Sequence, residues 1–266
     1  EKDGRGQFFT PEPVIDFCVE IIQPKPNETI IDPACGSGGF LISSLKHLLK
    51  NNPKTKAENF VTKNLFGLDI NKSIARIAKM KLLLEANRQA NIFCTNSLED
   101  LDEVRLIVSD ALNNPDKNRD DGFDIVLTNP PFGTLGKITN TKTLSQYDLG
   151  YKWTGSGNEF YKTKTLRDGQ SAEILFIERC LQLLKEGGRL GFVLPNGHFE
   201  NSSLEYLRFY VKQKANVLAI VNLPQETFIP FGTGVKTSLL FLEKETPNAI
   251  KQYPIFFGRV RKLGYQ

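Results

Sequence analysis

The sequence has few of the residues from which metal sites and disulfide frameworks are built. Its 266 residues contain only four cysteines and two histidines. The cysteines lie too far apart to form Cys-x-x-Cys pairs, so neither a zinc site nor a disulfide framework is supported. We expect small buried side chains, in a reducing compartment, at Cys18, Cys35, Cys94 and Cys180.

The sequence also lacks long apolar runs. No stretch approaches the roughly 18 apolar residues that a membrane-spanning helix needs, and the N-terminus has no apolar core of a signal peptide. Hydrophobic residues make up 40% of the chain and charged residues 24%, as in an ordinary globular protein. We therefore expect a cytoplasmic protein without a membrane partner. Its net charge of +4 is compatible with binding to nucleic acid.

Apolar strand-like runs alternate with helical patterns along the chain, and neither an internal repeat nor a clear linker interrupts them. This alternation predicts a single α/β domain over residues 1–266, with a doubly wound, mostly parallel sheet. The predicted strands cover residues 29–32, 65–69, 92–94, 123–128, 190–194, 217–221 and 237–242. Helices are predicted from Pro11 onwards and over 40–49, 73–88, 172–184 and 204–214.

The first helix carries clear local signals. Thr10 suits the N-cap and Pro11 the first helical position. The residues predicted to form its buried face follow at helical spacing and are Val14, Phe17, Cys18 and Ile21. Because the chain starts without a methionine and enters this motif almost at once, we expect a fragment of a longer polypeptide.

Residues 133–170 lack clean periodicity and are predicted to form one long loop. Basic and aromatic side chains alternate within it. They are Lys137, Lys142, Tyr147, Tyr151, Lys152, Trp153, Phe160, Tyr161, Lys162, Lys164 and Arg167. Such a loop suits contact with DNA phosphates and with an extruded base, but an ordinary surface loop explains the lysines equally well.

A glycine-rich turn, residues 32–40, follows the first predicted strand and opens a helix. Glycines there permit positive φ angles and a close approach of a ligand, while the helix offers free backbone N–H groups. The turn matches neither the dinucleotide fingerprint nor the P-loop, which disfavours a pyrophosphate. Asp69 ends the second strand, where a carboxylate can bind both hydroxyl groups of a ribose. Alternatively, Asp69 caps the helix that follows.

The most specific motif is Asn129-Pro130-Pro131-Phe132, at the end of the fourth predicted strand. The lone pair of an aromatic amino group is delocalised, so two acceptors that bind its N–H bonds favour attack. The Asn129 side-chain carbonyl and the Pro130 backbone carbonyl suit this role, Pro131 stiffens the turn, and Phe132 suits stacking on a base. The alternative is a strand that simply ends at prolines.

Together, the segments 32–40, 66–71 and 129–132 resemble the N6-adenine DNA methyltransferases. The segments 6–11, 187–197 and 231–238 resemble the modification subunits of type I restriction-modification systems. The resemblance implies a Rossmann-like fold of the S-adenosylmethionine-dependent methyltransferase type and S-adenosyl-L-methionine as cofactor. It also implies that a helical domain ahead of residue 7 is absent from this chain.

The resemblance also implies roles for individual residues. Gln7 to Thr10 should close over the cofactor, Ser37 to Gly39 should contact its methionine portion, and Asp69 should hold its ribose. The turn after the third strand should flank the adenine, although Asn96 stands where many relatives carry aspartate. The full set of implied cofactor residues is Gln7, Phe8, Phe9, Thr10, Asp32, Ala34, Gly36, Ser37, Gly38, Gly39, Phe40, Asp69, Ile70, Asn96, Ser97 and Leu98.

The implied reaction is direct transfer of a methyl group to N6 of an adenine flipped out of double-stranded DNA. A specificity subunit and a restriction subunit are the implied partners. The reaction needs no covalent intermediate and no base, so Cys35 and His198 receive no role, and His198 is expected at the surface. The alternatives are methylation of a protein glutamine and a non-catalytic cofactor-binding assembly subunit.

Overall fold

The computed structural model describes residues 9–110, 122–132, 137–157, 159–231, 233–245 and 253–263. The strands in these ranges are β1 (Ile30–Asp32), β2 (Leu65–Asp69), β3 (Asn91–Cys94), β4 (Phe123–Thr128), β5 (Lys137–Ile138), β6 (Tyr151–Ser156), β7 (Glu159–Leu166), β8 (Gln170–Ser171), β9 (Leu184–Pro195), β10 (Ala215–Asn222), β11 (Thr237–Lys244) and β12 (Phe256–Arg259). The helices are α1 (Glu12–Ile22), α2 (Gly39–Asn51), α3 (Ala57–Asn64), α4 (Lys72–Ala86), α5 (Leu101–Asp110), α6 (Thr141–Leu144), α7 (Ala172–Leu183), α8 (Gly197–Glu200) and α9 (Glu205–Lys214).

Eight of the strands in the described ranges form one sheet, in the order β12-β10-β11-β9-β4-β1-β2-β3. Strand β11 runs antiparallel to its neighbours β9 and β10, and the other pairs are parallel. The strand order reverses between β1 and β4, so the carboxyl ends of these two strands flank a crevice. The predicted doubly wound, mostly parallel sheet is confirmed.

Helices cover both faces of this sheet. Strands β1 and β2 are buried along their whole length, which explains their uninterrupted apolar sequences. One apolar core lies between the sheet and α1 to α4, and the other lies between the sheet and α5, α7 and α9. The helices α3 and α5 were not predicted, because each is short and buries few apolar side chains. None of the described helices is long and apolar enough to span a membrane.

The predicted buried face of α1 is wrong, because it is rotated about the helix axis by part of a turn from the observed face. Phe17 and Ile21 are 37% and 50% exposed, while Ile15 is buried together with the predicted Val14 and Cys18. The predicted capping role of Thr10 is also wrong. The N-cap is Pro11, and no side chain caps the helix.

The prediction of a loop over 133–170 is wrong for most of its described residues. Strands β6 and β7 form an antiparallel hairpin that packs on α9, where the Trp153 ring stacks on that of Tyr206 with centroids 6.4 Å apart. Before the hairpin, the buried carboxylate of Glu178 accepts hydrogen bonds of 2.8 Å from the backbone N–H groups of Asp148 and Leu149. Both contacts join residues distant in sequence, so local periodicity does not reveal them.

Two single-residue predictions also need correction. Three of the cysteines are buried as predicted, but Cys94 is exposed. His198 is buried rather than at the surface, and its Nε2 lies 3.7 Å from the Glu173 carboxylate. Its Nδ1 lies 3.1 Å from the backbone oxygen of Pro195, so these contacts hold the imidazole in place at the end of β9.

Gly122 directly precedes β4 and has a backbone conformation that favours glycine, so its substitution provides a test. Its φ is +85°, and a Cβ there would lie 2.5 Å from the Leu183 carbonyl oxygen. Gly187 has a similar φ of +73° but open space around it. We expect Gly187→Ala to lower the free energy of unfolding by about 1 kcal/mol through backbone strain alone, and Gly122→Ala by about 3 kcal/mol. Urea denaturation measures both losses, and equal losses would show that the close contact is unimportant.

Candidate active site

A pocket opens at the carboxyl ends of β1 and β4, between the glycine-rich turn and the start of α1. Most of its lining residues belong to the predicted cofactor set, and Asn129 joins them from the end of β4. The lining residues are Phe9, Thr10, Ile15, Asp32, Ala34, Cys35, Gly36, Ser37, Gly39, Phe40 and Asn129. Of the predicted set, Gln7 and Phe8 lie outside the described residues.

Glycine conformations shape the turn beneath this pocket. Gly36 and Gly38 have φ angles of +52° and +83°. A Cβ at Gly39 would lie 2.6 Å from Cδ1 of Ile15, so this glycine lets α1 pack closely against the start of α2. No side chain caps α2 at Gly38, which leaves the positive end of a 13-residue helix beside the pocket.

Asp32 is the acidic group of the pocket. It is 1% exposed and accepts a 3.0 Å hydrogen bond from the backbone N–H of Ala34. Burial raises the pKa of Asp32 to about 7, against the opposing effect of hydrogen bonds from Thr128 and Ala34. Burial likewise raises the pKa of the Cys35 thiol well above its ordinary value, so this cysteine is not an activated nucleophile.

Asp69 is tied to the glycine-rich turn. One of its carboxylate oxygens accepts from the backbone N–H of Gly36 at 2.9 Å, and the other accepts from that of Asn71 at 2.7 Å. The cap of α4 is Asn71, whose side chain accepts from the backbone N–H groups of Ser73 and Ile74. The alternative role of Asp69 as the helix cap is therefore wrong. Contact of Asp69 and Ile70 with a ribose stays a prediction, and the Ile70 side chain is 69% exposed.

The turn after β3 is joined to the turn after β1. The Ser97 hydroxyl is buried and donates to the backbone oxygen of Pro33. Asn96 accepts from the Leu98 backbone N–H at 3.1 Å and donates to Glu99 at 3.0 Å. Leu98 packs in the core, so of the predicted residues Asn96, Ser97 and Leu98 only Asn96 offers a partly exposed polar side chain. Their contact with an adenine stays a prediction.

Asn129 is held by one end of its side-chain amide. Its Nδ2 donates to the Thr10 hydroxyl oxygen over 2.9 Å. Its Oδ1 is buried and accepts no hydrogen bond from any described residue. A buried acceptor without a donor is costly, so such an atom indicates a place where a ligand completes the bonding.

The rest of the motif packs into the protein. Pro130 is buried and Pro131 exposed. Phe132 is 5% exposed, and its ring meets the ring of Phe228 edge-on with centroids 6.2 Å apart. Stacking of Phe132 on a base stays a prediction. Sequence reasoning missed Phe228, because no motif marks this residue and it lies almost 100 positions further along the chain.

Comparison with solved structures identifies the fold. A Listeria monocytogenes protein described as a class I S-adenosylmethionine-dependent methyltransferase superposes with a TM-score of 0.70 at 19% identity, over 100% of this chain and 69% of that one. A Vibrio vulnificus protein described as a modification subunit of a type I restriction enzyme gives 0.69 at 26% identity, over 92% and 46%. The fold is therefore the Rossmann-like fold of S-adenosylmethionine-dependent methyltransferases.

Sequence comparison gives the family. The family model described as N-6 DNA Methylase matches residues 1–265, and the chain belongs to this family. The methylase subunit of the Escherichia coli type I restriction enzyme EcoEI is 28% identical over 247 residues, or 91% of this chain and 43% of that protein. The chain thus spans less than half of such relatives. The resemblance to type I modification subunits is confirmed, and methylation of a protein glutamine is not favoured.

The raised pKa of Asp32 makes stability depend on pH. The pKa is about 7 in the folded protein and 3.8 in the unfolded chain, so between these values the folded state binds the proton more tightly. The contribution of this group to stability is therefore largest below pH 4 and is lost as pH rises through 7, by at most about 1.4 kcal/mol per pH unit.

Asp32→Asn removes this titration, while the raised pKa of Glu178, about 7, gives the same slope in both proteins. We expect the stability of the variant relative to wild type to improve steadily from pH 4 to pH 7. Urea denaturation at several pH values provides the measurement. Parallel curves for the two proteins would contradict the pKa shift.

Proposed function

We propose that this chain is the catalytic core of an S-adenosylmethionine-dependent DNA methyltransferase that methylates the N6 amino group of adenine. The observation that carries the proposal is the buried Oδ1 of Asn129, which no described residue hydrogen-bonds, in the pocket beside the glycine-rich turn. An acceptor kept free at this point suits an incoming N–H group. Membership of the N-6 DNA methylase family supports adenine as the target.

The residues of the pocket suit S-adenosyl-L-methionine. A ligand can approach the backbone at Gly36, because no atom of the described residues lies within 4 Å of the position that a Cβ would occupy there. The buried carboxyl group of Asp32 offers a partner for positive charge, and Phe9 and Phe40 offer apolar contact. Asp69 does not line the pocket but accepts from the backbone N–H of Gly36, which does, and this neighbouring position supports its proposed contact with the ribose. When bound, this cofactor supplies an electrophilic methyl group on a sulfonium.

The catalytic contribution of the chain is to bind and orient the target nitrogen. In this mechanism, Asn129 Oδ1 accepts one N–H of the adenine amino group, and the Pro130 carbonyl accepts the other. These two acceptors favour a pyramidal nitrogen and stabilise the positive charge that develops on it as it is methylated. Burial of the Oδ1 atom strengthens this effect, since water does not compete for the acceptor.

The family to which the chain belongs is also the ground for proposing that it acts on DNA and binds partner subunits. The related Escherichia coli protein is a methylase subunit of a restriction enzyme, and we propose a specificity subunit and a restriction subunit as partners of this chain. The β6–β7 hairpin supports contact with double-stranded DNA, because Lys152, Tyr161 and Lys164 are exposed along it. Its inner aromatic residues are already used in packing on α9, so they do not surround a flipped base.

Removal of the free acceptor tests the reaction. In the longest natural polypeptide that contains this chain, with any subunit needed for activity, Asn129→Ala should lower the single-turnover rate of adenine methylation by about 100-fold or more. The affinity for the cofactor should differ from that of wild type by less than about threefold, because the other residues that contact the cofactor are unchanged.

Asn52→Ala is the control, at the far end of α2 from the pocket. The product is identified as N6-methyladenine by mass spectrometry of the digested DNA. Undiminished methylation by Asn129→Ala would exclude the mechanism. Cofactor binding without methylation in wild type, under all conditions, would favour a non-catalytic subunit.

The cofactor assignment has its own test. Calorimetric titration with S-adenosylmethionine should show saturable binding that Asp69→Asn weakens about tenfold, since one acceptor for the ribose is lost. NAD is the control ligand and should not bind, because the turn lacks a pyrophosphate pattern. Binding of NAD, or equal affinity of wild type and variant for S-adenosylmethionine, would contradict the assignment.

A further inference from the structure

The hydrogen bond between Thr10 and Asn129 joins two parts of the chain that are 119 residues apart. Thr10 stands just before α1, and Asn129 ends β4. The bond takes up one end of the amide, Nδ2, and leaves the other end, Oδ1, buried without a partner among the described residues. Which end of the amide faces Thr10 decides whether Asn129 offers a substrate an acceptor or a donor.

We propose that Thr10 is a positioning residue, whose hydroxyl group fixes the Asn129 amide with Oδ1 towards the target nitrogen. This inference rests on the proposed function of Asn129. An N–H of the target is bound only by an acceptor, so a reversed amide would place N–H against N–H. The catalytic geometry therefore depends on the orientation of the amide as well as on the presence of Asn129.

The amide lies in the orientation that the proposed reaction needs, with Nδ2 against the Thr10 hydroxyl oxygen and Oδ1 on the side without a described donor. A buried NH2 group needs acceptors for its hydrogens, and in this orientation the Thr10 oxygen supplies one of them. Thr10 is thus the partner that binds Nδ2, and the empty side is left for Oδ1.

Thr10 lines the pocket and is held in place there, and its hydroxyl is not used as a helix cap. The helix cap is Pro11, and the Thr10 hydroxyl does not cap α1. Helix α1 packs on α2 where Ile15 approaches Gly39, which fixes the start of α1 against the glycine-rich turn. This packing places the Thr10 hydroxyl between the cofactor pocket, which it lines, and the amide of Asn129.

A pair of substitutions separates this role from direct contact with the cofactor. Thr10→Val keeps the shape of the side chain but removes the hydroxyl, and Thr10→Ser keeps the hydroxyl. Both variants are tested in the same polypeptide, with the same subunits, as wild type. At saturating cofactor, Thr10→Val should lower the single-turnover rate of methylation about tenfold or more. Thr10→Ser should keep most of the wild-type rate. Cofactor affinity should change by less than about threefold in both variants, with Asn52→Ala as the unaffected control.

A second readout does not depend on activity. In protein labelled with 15N-asparagine, the side-chain NH2 pair of Asn129 is assigned from its absence in Asn129→Ala. This pair should shift and lose protection from hydrogen exchange in Thr10→Val, and should remain near its wild-type position in Thr10→Ser. If valine disturbs folding, as judged by thermal unfolding, Thr10→Ala repeats the comparison.

The outcomes are distinguishable. An unchanged rate and an unchanged Asn129 resonance in Thr10→Val would overturn the proposal. A loss of rate that is matched by an equal loss of cofactor affinity would also overturn it and make Thr10 a cofactor contact only. A shifted Asn129 resonance in a chain whose wild type methylates no DNA would confirm the Thr10–Asn129 bond and reject the proposed function instead.

Discussion

The site depends on the parallel pairing of β1 with β4. Ile30 and Ile31 face Ile125 and Val126 in this pairing, at the point where the strand order reverses. Because parallel strands end at the same edge of a sheet, the glycine-rich turn and Asn129 emerge side by side there. The apolar burial of β1 and β4 on both faces keeps this register fixed.

Hydrogen bonds between the turns then complete the site. Asp69 fixes Gly36, Ser97 fixes Pro33, and Asn129 is held by Thr10. Each bond joins the end of one strand to a different segment, so the turns support one another rather than standing alone. The cost of this arrangement is polar burial, seen in the raised pKa of Asp32 and in the unpartnered Oδ1 of Asn129. Such costs are typical of sites that a ligand completes.

Outside the pocket, a second set of contacts secures the β6–β7 hairpin. Glu178 binds the backbone before the hairpin, and Arg179 donates to the Tyr147 hydroxyl at 2.9 Å. Tyr147 in turn donates to the backbone oxygen of Leu98, next to the predicted adenine turn. The hairpin that we propose to face DNA is therefore joined to the turn after β3 through buried polar groups.

The sequence by itself determined seven of the eight strands of the main sheet, the doubly wound class and the three motifs, because apolar runs, glycine turns and Asn-Pro-Pro-Phe are local patterns. Tertiary structure alone decided the rest. The hairpin packs on aromatic residues some 50 positions away, α1 turns Ile15 inward because Gly39 leaves room for it, and Thr10 binds Asn129 rather than capping its own helix. Each of these contacts is made with a residue distant in sequence, and local periodicity does not show which distant side chain a residue will contact.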